Sequence, residues 1–162
     1  VTLESTQSQM HERLLGYQET MEKLAIDPKV AFIPFESKKT VKQQLIKDFL
    51  EKNLELDAII FATNYLCLAG LAAINKLTAK RKMDFGIVSF DDHEAFNLIS
   101  PTITAIRQPL EELSNNIIKL LLKQIEKPTK DNASHVVLPS VIKARKSSER
   151  KSNNLLPIGR NN

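Results

Sequence analysis

Asp57-Ala-Ile-Ile-Phe-Ala-Thr-Asn64 is the stretch on which the fold turns. Residues 57–62 are almost continuously apolar, the pattern of a strand buried on both faces of a sheet. Asn64 can cap the helix that the sequence predicts after it, running to about residue 79. Residues 85–90, Phe-Gly-Ile-Val-Ser-Phe, form a second short buried strand that stops at Asp91-Asp92. Working upstream, Met10, Leu14, Tyr17, Met21 and Leu24 recur on one face of a helix, and Asp27-Pro28 ends it. A strand-like run covers residues 30–35. Thr40 followed by Gln43 reads as a capping box that opens a helix through about Asn53, with Val41, Leu45, Phe49 and Leu50 inward. Downstream, residues 103–107 look like a strand and residues 110–127 like a strongly amphipathic helix. Val136-Val137-Leu138 and Val141-Ile142 read as two more short strands. Strands alternating with helices predict an α/β fold: three layers, a parallel sheet with helices on both faces.

Composition narrows the chemistry. The 162 residues are 42% hydrophobic, enough for one compact domain with a real core. No apolar run approaches the ~20 residues of a bilayer span. One cysteine, Cys67, excludes an internal disulfide and a cysteine zinc cluster, and its apolar neighbours mark it as a buried thiol. Glycine occurs only at positions 16, 70, 86 and 159, so neither a GxGxxG dinucleotide loop nor a GxxxxGK[ST] phosphate loop can be written. HExxH and GxSxG are absent too, and His11, His93 and His135 are scattered. Asp91-Asp92 could hold magnesium, but no Lys or Thr accompanies it at a recognisable position. No catalytic residue, cofactor or metal is therefore expected. Mid-helix Gly16 costs ~1 kcal/mol against alanine, which suggests a closely packed position.

The basic balance is local. Residues 143–162 hold six Lys or Arg against Glu149, a net of +5, which leaves residues 1–142 at −1 of the chain's +4. A neutral body has no footprint for phosphate-backbone binding, so residues 147–162 read as a solvated basic tail.

In sheets of this kind a ligand sits beyond the carboxyl ends of the strands. That rule selects Asn64, Asp91 and Gln108. It also selects Arg13 if residues 1–3 end a first strand. Each has a plainer reading: Arg13 as a solvated helix arginine, Asn64 and Asp91 or Asp92 as helix caps, and Gln108 as a partner for local backbone. Asp91 is assigned to ligand and Asp92 to capping residues 93–96.

At this point the residues become recognisable. Arg13-Leu-Leu-Gly16-Tyr17 resembles the R-x-x-G-[YFW] element of the lactose-repressor (LacI/GalR) family of bacterial transcription regulators. Residues 57–64 with Gly70 resemble its D-A-[IV]-[FI]-A-x-N-D-x-x-A-x-G segment. Phe90-Asp91-Asp92 and the run from Pro101 to Gln108-Pro109 resemble its F-D-D and P-x-L-T-T-V-x-Q-P elements. Leu138-Pro139 with Arg145-Lys146-Ser147 resembles its closing L-P-x-x-L-x-x-R-x-S. The chain departs from the pattern with Tyr65 where the family has an acid and Ser89 where it has glycine.

The resemblance implies one lobe of a two-lobed effector domain of the periplasmic-binding-protein-like type I fold. Residues 1–146 would be the C-terminal part of that domain, with helix 109–127 belonging to an N-terminal lobe outside this chain. The DNA-binding helix-turn-helix would also lie outside it. It further implies a small polar effector, most simply a sugar, held by Arg13, Asn64, Asp91 and Gln108. A homodimer through Leu66, Leu68, Leu71 and Ala72 is implied as well, with operator DNA bound only through the missing domain in a cytoplasmic protein. The competing function is a sugar-binding protein of a periplasmic uptake system, which shares the fold.

Overall fold

The computed structural model describes residues 1–77, 85–127 and 135–149. Its strands are β1 (Thr2–Glu4), β2 (Phe32–Pro34), β3 (Ala58–Phe61), β4 (Gly86–Phe90), β5 (Thr104–Arg107) and β6 (Val141–Lys143). The helices are α1 (Ser8–Lys23), α2 (Lys39–Lys52), α3 (Asn64–Ile74) and α4 (Leu110–Glu126), with single 3-10 turns at Glu94–Asn97 and Lys146–Ser148.

β1 and β2 pair in parallel, as do β3 with β4 and β4 with β5. The Val1 amine donates to Ile60 O at 2.8 Å and Ala62 N donates to Val1 O at 2.9 Å, which lays β1 beside β3 and joins the two sheets. The α/β class with parallel pairing is as the sequence predicts. β6 departs from it by running antiparallel to β5, with Ile142 opposite Ile106. Residues 136–138 form no strand, so one of the two expected terminal strands is absent.

Ile59 and Phe61 of β3 and Ile87 of β4 face the main core, where Ile46, Leu50, Leu66, Cys67 and Ala73 of α2 and α3 cover them. α3 is buried along most of its length, which an amphipathic stripe could not achieve. Gly70 explains how close it comes: a methyl group there would collide with the ring of fully buried Phe61. Burial pushes the Cys67 thiol up to about 12, so it stays protonated and inert. α1 lies on the opposite face. Between it and β3 runs an open groove of about 640 Å³, lined by Leu14, Tyr17, Met21, Ala58, Ile60 and Phe90 among others.

Three capping expectations change. Thr63, not Asn64, caps α3, its Oγ1 accepting from Leu66 N at 3.2 Å. α2 begins one residue before Thr40, with Lys38 at its cap and no side-chain capping bond. His93 caps the 3-10 turn at Glu94–Asn97 through Nδ1, leaving Asp92 free for other work. Gly16 is not closely packed: a methyl group there would meet nothing within 4 Å. The stretch expected at the end of α3, residues 78–79, lies outside the described residues.

Candidate functional site

The carboxyl ends of β3, β4 and β5 converge, and α1 points Arg13 into the same corner. Arg13 Nη1 donates to Ala62 O at 2.5 Å and to Asp91 Oδ2 at 3.2 Å, while Nη2 reaches Asp91 Oδ1 at 3.5 Å. Gln108 Nε2 donates to Asp91 Oδ1 through a short hydrogen bond. The guanidinium carbon lies 4.6 Å from the centre of the Phe90 ring, within cation–π range. Three of the four residues selected from sequence therefore meet in one cluster, although they come from three different parts of the chain. Asn64 is half-buried nearby, but none of the cluster's hydrogen bonds involves it.

The arrangement suits a polar, uncharged guest. A carboxylate offers about four acceptor positions, and Asp91, with its side chain 30% exposed, has capacity left after Arg13 and Gln108. Arg13 is only 13% exposed and retains donors on Nε and Nη2. A hydroxylated molecule can donate to Asp91 and accept from Arg13, each charge-assisted bond contributing ~1.5–3 kcal/mol. Asp91 holds φ at 64°, a left-handed conformation uncommon for a residue other than glycine.

Asp92 points away and belongs to a second cluster that sequence reasoning missed. Arg145 grips it with both terminal nitrogens, Nη1–Oδ1 and Nη2–Oδ2 each at 2.9 Å, and Lys143 Nζ approaches Oδ2 at 3.4 Å. Burial alone would raise the Asp92 carboxyl. The hydrogen bonds from Arg145, the His93 amide and Lys143, with the charge of Arg145, outweigh it and lower the pKa. Arg145 also donates to Ile103 O and, from its backbone, to Thr104 Oγ1. Ser147 Oγ accepts from Thr104 N at 2.8 Å and donates to Ile87 O at 2.6 Å. Ser147 is 5% exposed, so the expected tail boundary at residue 147 is wrong: residues 145–148 are stitched to the sheet. The signal was present in Arg145-Lys146-Ser147, quoted above as a motif without a structural role. Residues 150–162 lie outside the described residues.

Of the residues expected at a dimer interface, Leu66 is 1% exposed and packs in this chain's own core, so it has no surface to offer a partner. Leu68, Leu71 and Ala72 are half-buried. Among the described residues there is no group of three metal-ligating side chains, and no helix is long and apolar enough to cross a membrane.

A family model described as periplasmic binding protein-like domain matches residues 1–148. The transcriptional regulator KdgR of Bacillus subtilis is 29% identical over 117 residues, covering 71% of this chain and 34% of that protein. A ribose operon repressor of Halalkalibacterium halodurans is 24% identical over 138 residues, covering 85% of this chain and 41% of that protein. The chain thus spans well under half the length of these curated relatives. Among solved structures, a LacI family regulator from Arthrobacter sp. FB24 in complex with lactose superposes with a TM-score of 0.72 at 17% identity, over 91% of this chain and 56% of that one. One from Enterococcus faecium with bound ribose gives 0.66 at 23% identity, over 85% and 51%.

Proposed function

The chain belongs to the periplasmic binding protein-like domain family, and from that premise we propose that it is the effector-sensing and dimerising portion of a LacI-type transcriptional regulator. The observation that carries this reading is the Arg13–Asp91–Gln108 cluster, in the crevice where this architecture places ligands. The effector is a small neutral sugar: its hydroxyls donate to Asp91 and accept from Arg13, and a sugar face lies against Phe90. Asn64, at the mouth of α3, is the fourth contact. Relatives named as ribose and sucrose operon repressors support this class, and their naming as regulators favours sensing over uptake or catalysis.

On this reading residues 1–148 form the C-terminal part of the effector domain. α4 belongs to an opposing lobe, and operator DNA is bound by a separate helix-turn-helix of the complete cytoplasmic regulator. Two chains pair through the outer faces of α2 and α3, which carry half-buried Leu68, Leu71 and Ala72 and exposed Val41 and Leu45. Effector binding shifts the balance between open and closed lobes, and the dimer passes that shift to the DNA-binding heads.

The test is a melting-temperature panel with D-ribose, sucrose and lactose on a polypeptide of the relatives' full length. One sugar raises the melting temperature, and Asp91→Asn or Arg13→Ala abolishes the rise. The 162-residue chain alone, holding one half of the site, shows no rise. A panel without any shift, or a shift that survives Asp91→Asn, sinks the proposal.

A further inference from the structure

Two adjacent acids leave β4 in opposite directions: Asp91 toward Arg13 and Gln108, Asp92 toward Arg145. Between them the backbone turns through a left-handed conformation at Asp91, uncommon outside glycine, which its surroundings hold in place. The restraints are identifiable. Before the turn, Asp91 N donates to Ile106 O at 3.0 Å and fixes the peptide to β5. After it, Asp92 is held by a two-pronged ion pair to Arg145, whose side chain is 7% exposed. Arg145 in turn is anchored through Ile103 O and Thr104 Oγ1, and Thr104 is bound to Ser147. These anchors are on β5, on Ile103 just before it, or on the segment after β6, so Asp92 is tied to the strand that ends at Gln108.

We propose that Arg145 is a positioning residue of the effector site: by gripping Asp92 it holds the turn at Asp91 and aims the Asp91 carboxylate at Arg13. The strand β6 that leads into Arg145 pairs with β5, which carries Gln108 at its end, so one segment sets two of the three contacts. The two-pronged geometry matters here, because it fixes the orientation of the Asp92 carboxylate as well as its distance. Lys143, 48% exposed and a single-point partner at 3.4 Å, supplies charge without that orientation. Naming the cluster an effector site rests on the proposed function. The positioning itself is read without any ligand, so either idea can fail while the other stands.

The experiment is nuclear Overhauser spectroscopy on the 162-residue chain, following the cross-peaks between the Arg13 side chain and the Asp91 β-protons. Arg145→Gln loses these cross-peaks, and Arg145→Lys restores them in part. Ser147→Ala, which weakens the same staple without touching Asp92, lowers the melting temperature but keeps them. Should Arg145→Gln fail to fold, Asp92→Asn decides in its place, since it removes the grip while retaining the side-chain volume. Retention of the Arg13–Asp91 cross-peaks in folded Arg145→Gln or Asp92→Asn, or their loss in Ser147→Ala as well, overturns the proposal.

Discussion

Helices α3 and α4 are both rich in leucine and isoleucine, and the structure treats them oppositely. α3 buries Leu66, Cys67, Ala69, Gly70, Ala73 and Ile74 against β3, β4 and α2. α4 buries no residue: Leu113, Ile117, Ile118, Leu121, Leu122 and Ile125 are all exposed. Helix-forming pattern and burial are therefore separate properties. α4 has the cleaner apolar stripe, yet it is α3, apolar on several sides, that holds the domain together. An amphipathic stripe states that a helix can bury one face; whether it does depends on a surface being there.

The largest consequence lies in α3. Leu66 is 1% exposed and packed between the sheet and α2, so Leu66→Ala removes transfer energy and leaves a cavity. A loss of ~2–5 kcal/mol in urea denaturation is expected. A loss below ~1 kcal/mol would mean that the core collapses around the change and that α3 contributes less than its burial indicates.

A smaller effect of opposite sign tests the other side of the sheet. Gly16 lies inside α1 with ordinary helical backbone and open space where a side chain would start. Gly16→Ala should raise stability by ~0.5–1 kcal/mol through helix propensity and a less flexible unfolded chain. Destabilisation would show that something closes over the groove between α1 and β3 and needs that space.

The fold was legible in sequence wherever a single element decided its own fate. The strands at 58–61 and 86–90 follow from local apolarity, but β3 buries only Ile59 and Phe61 and leaves Ala58 and Ile60 exposed, and α1 stops at Lys23, ahead of Asp27-Pro28, with Ala25 in a left-handed conformation. The capping errors share one cause. Asn64, Thr40 and Asp92 each have a side chain able to cap, but Asn64 and Thr40 already lie inside the first turns of α3 and α2, with Thr63 and Lys38 at the cap positions, and Arg145 offers Asp92 a stronger partner than a helix end does. The Arg13–Asp91–Gln108 cluster could be placed because the ends of parallel strands share one rim. The Arg145–Asp92 grip could not, since it joins residues 53 apart whose meeting depends on β6 running antiparallel to β5, a direction that Val141-Ile142 does not encode. The same limit explains Gly16 and Gly70, which look alike in sequence and differ only in what faces them.

The smallest expected effect is the most informative about α4. Leu121 is 59% exposed, so Leu121→Ala removes little buried surface, and alanine forms helix at least as well as leucine. The change should cost under ~0.5 kcal/mol in the 162-residue chain, against several times that for the same substitution at Leu66. The two variants differ in chemistry by nothing, so the ratio of their costs measures how much of each helix is covered in solution. A cost at Leu121 approaching that at Leu66 would mean that the exposed stripe has found a cover. If that cover is a second copy of the chain, the cost will grow with protein concentration, because association then contributes to stability by mass action. A cost near zero at every concentration leaves the stripe wet, which is the state expected of a helix whose proper surface is an opposing lobe.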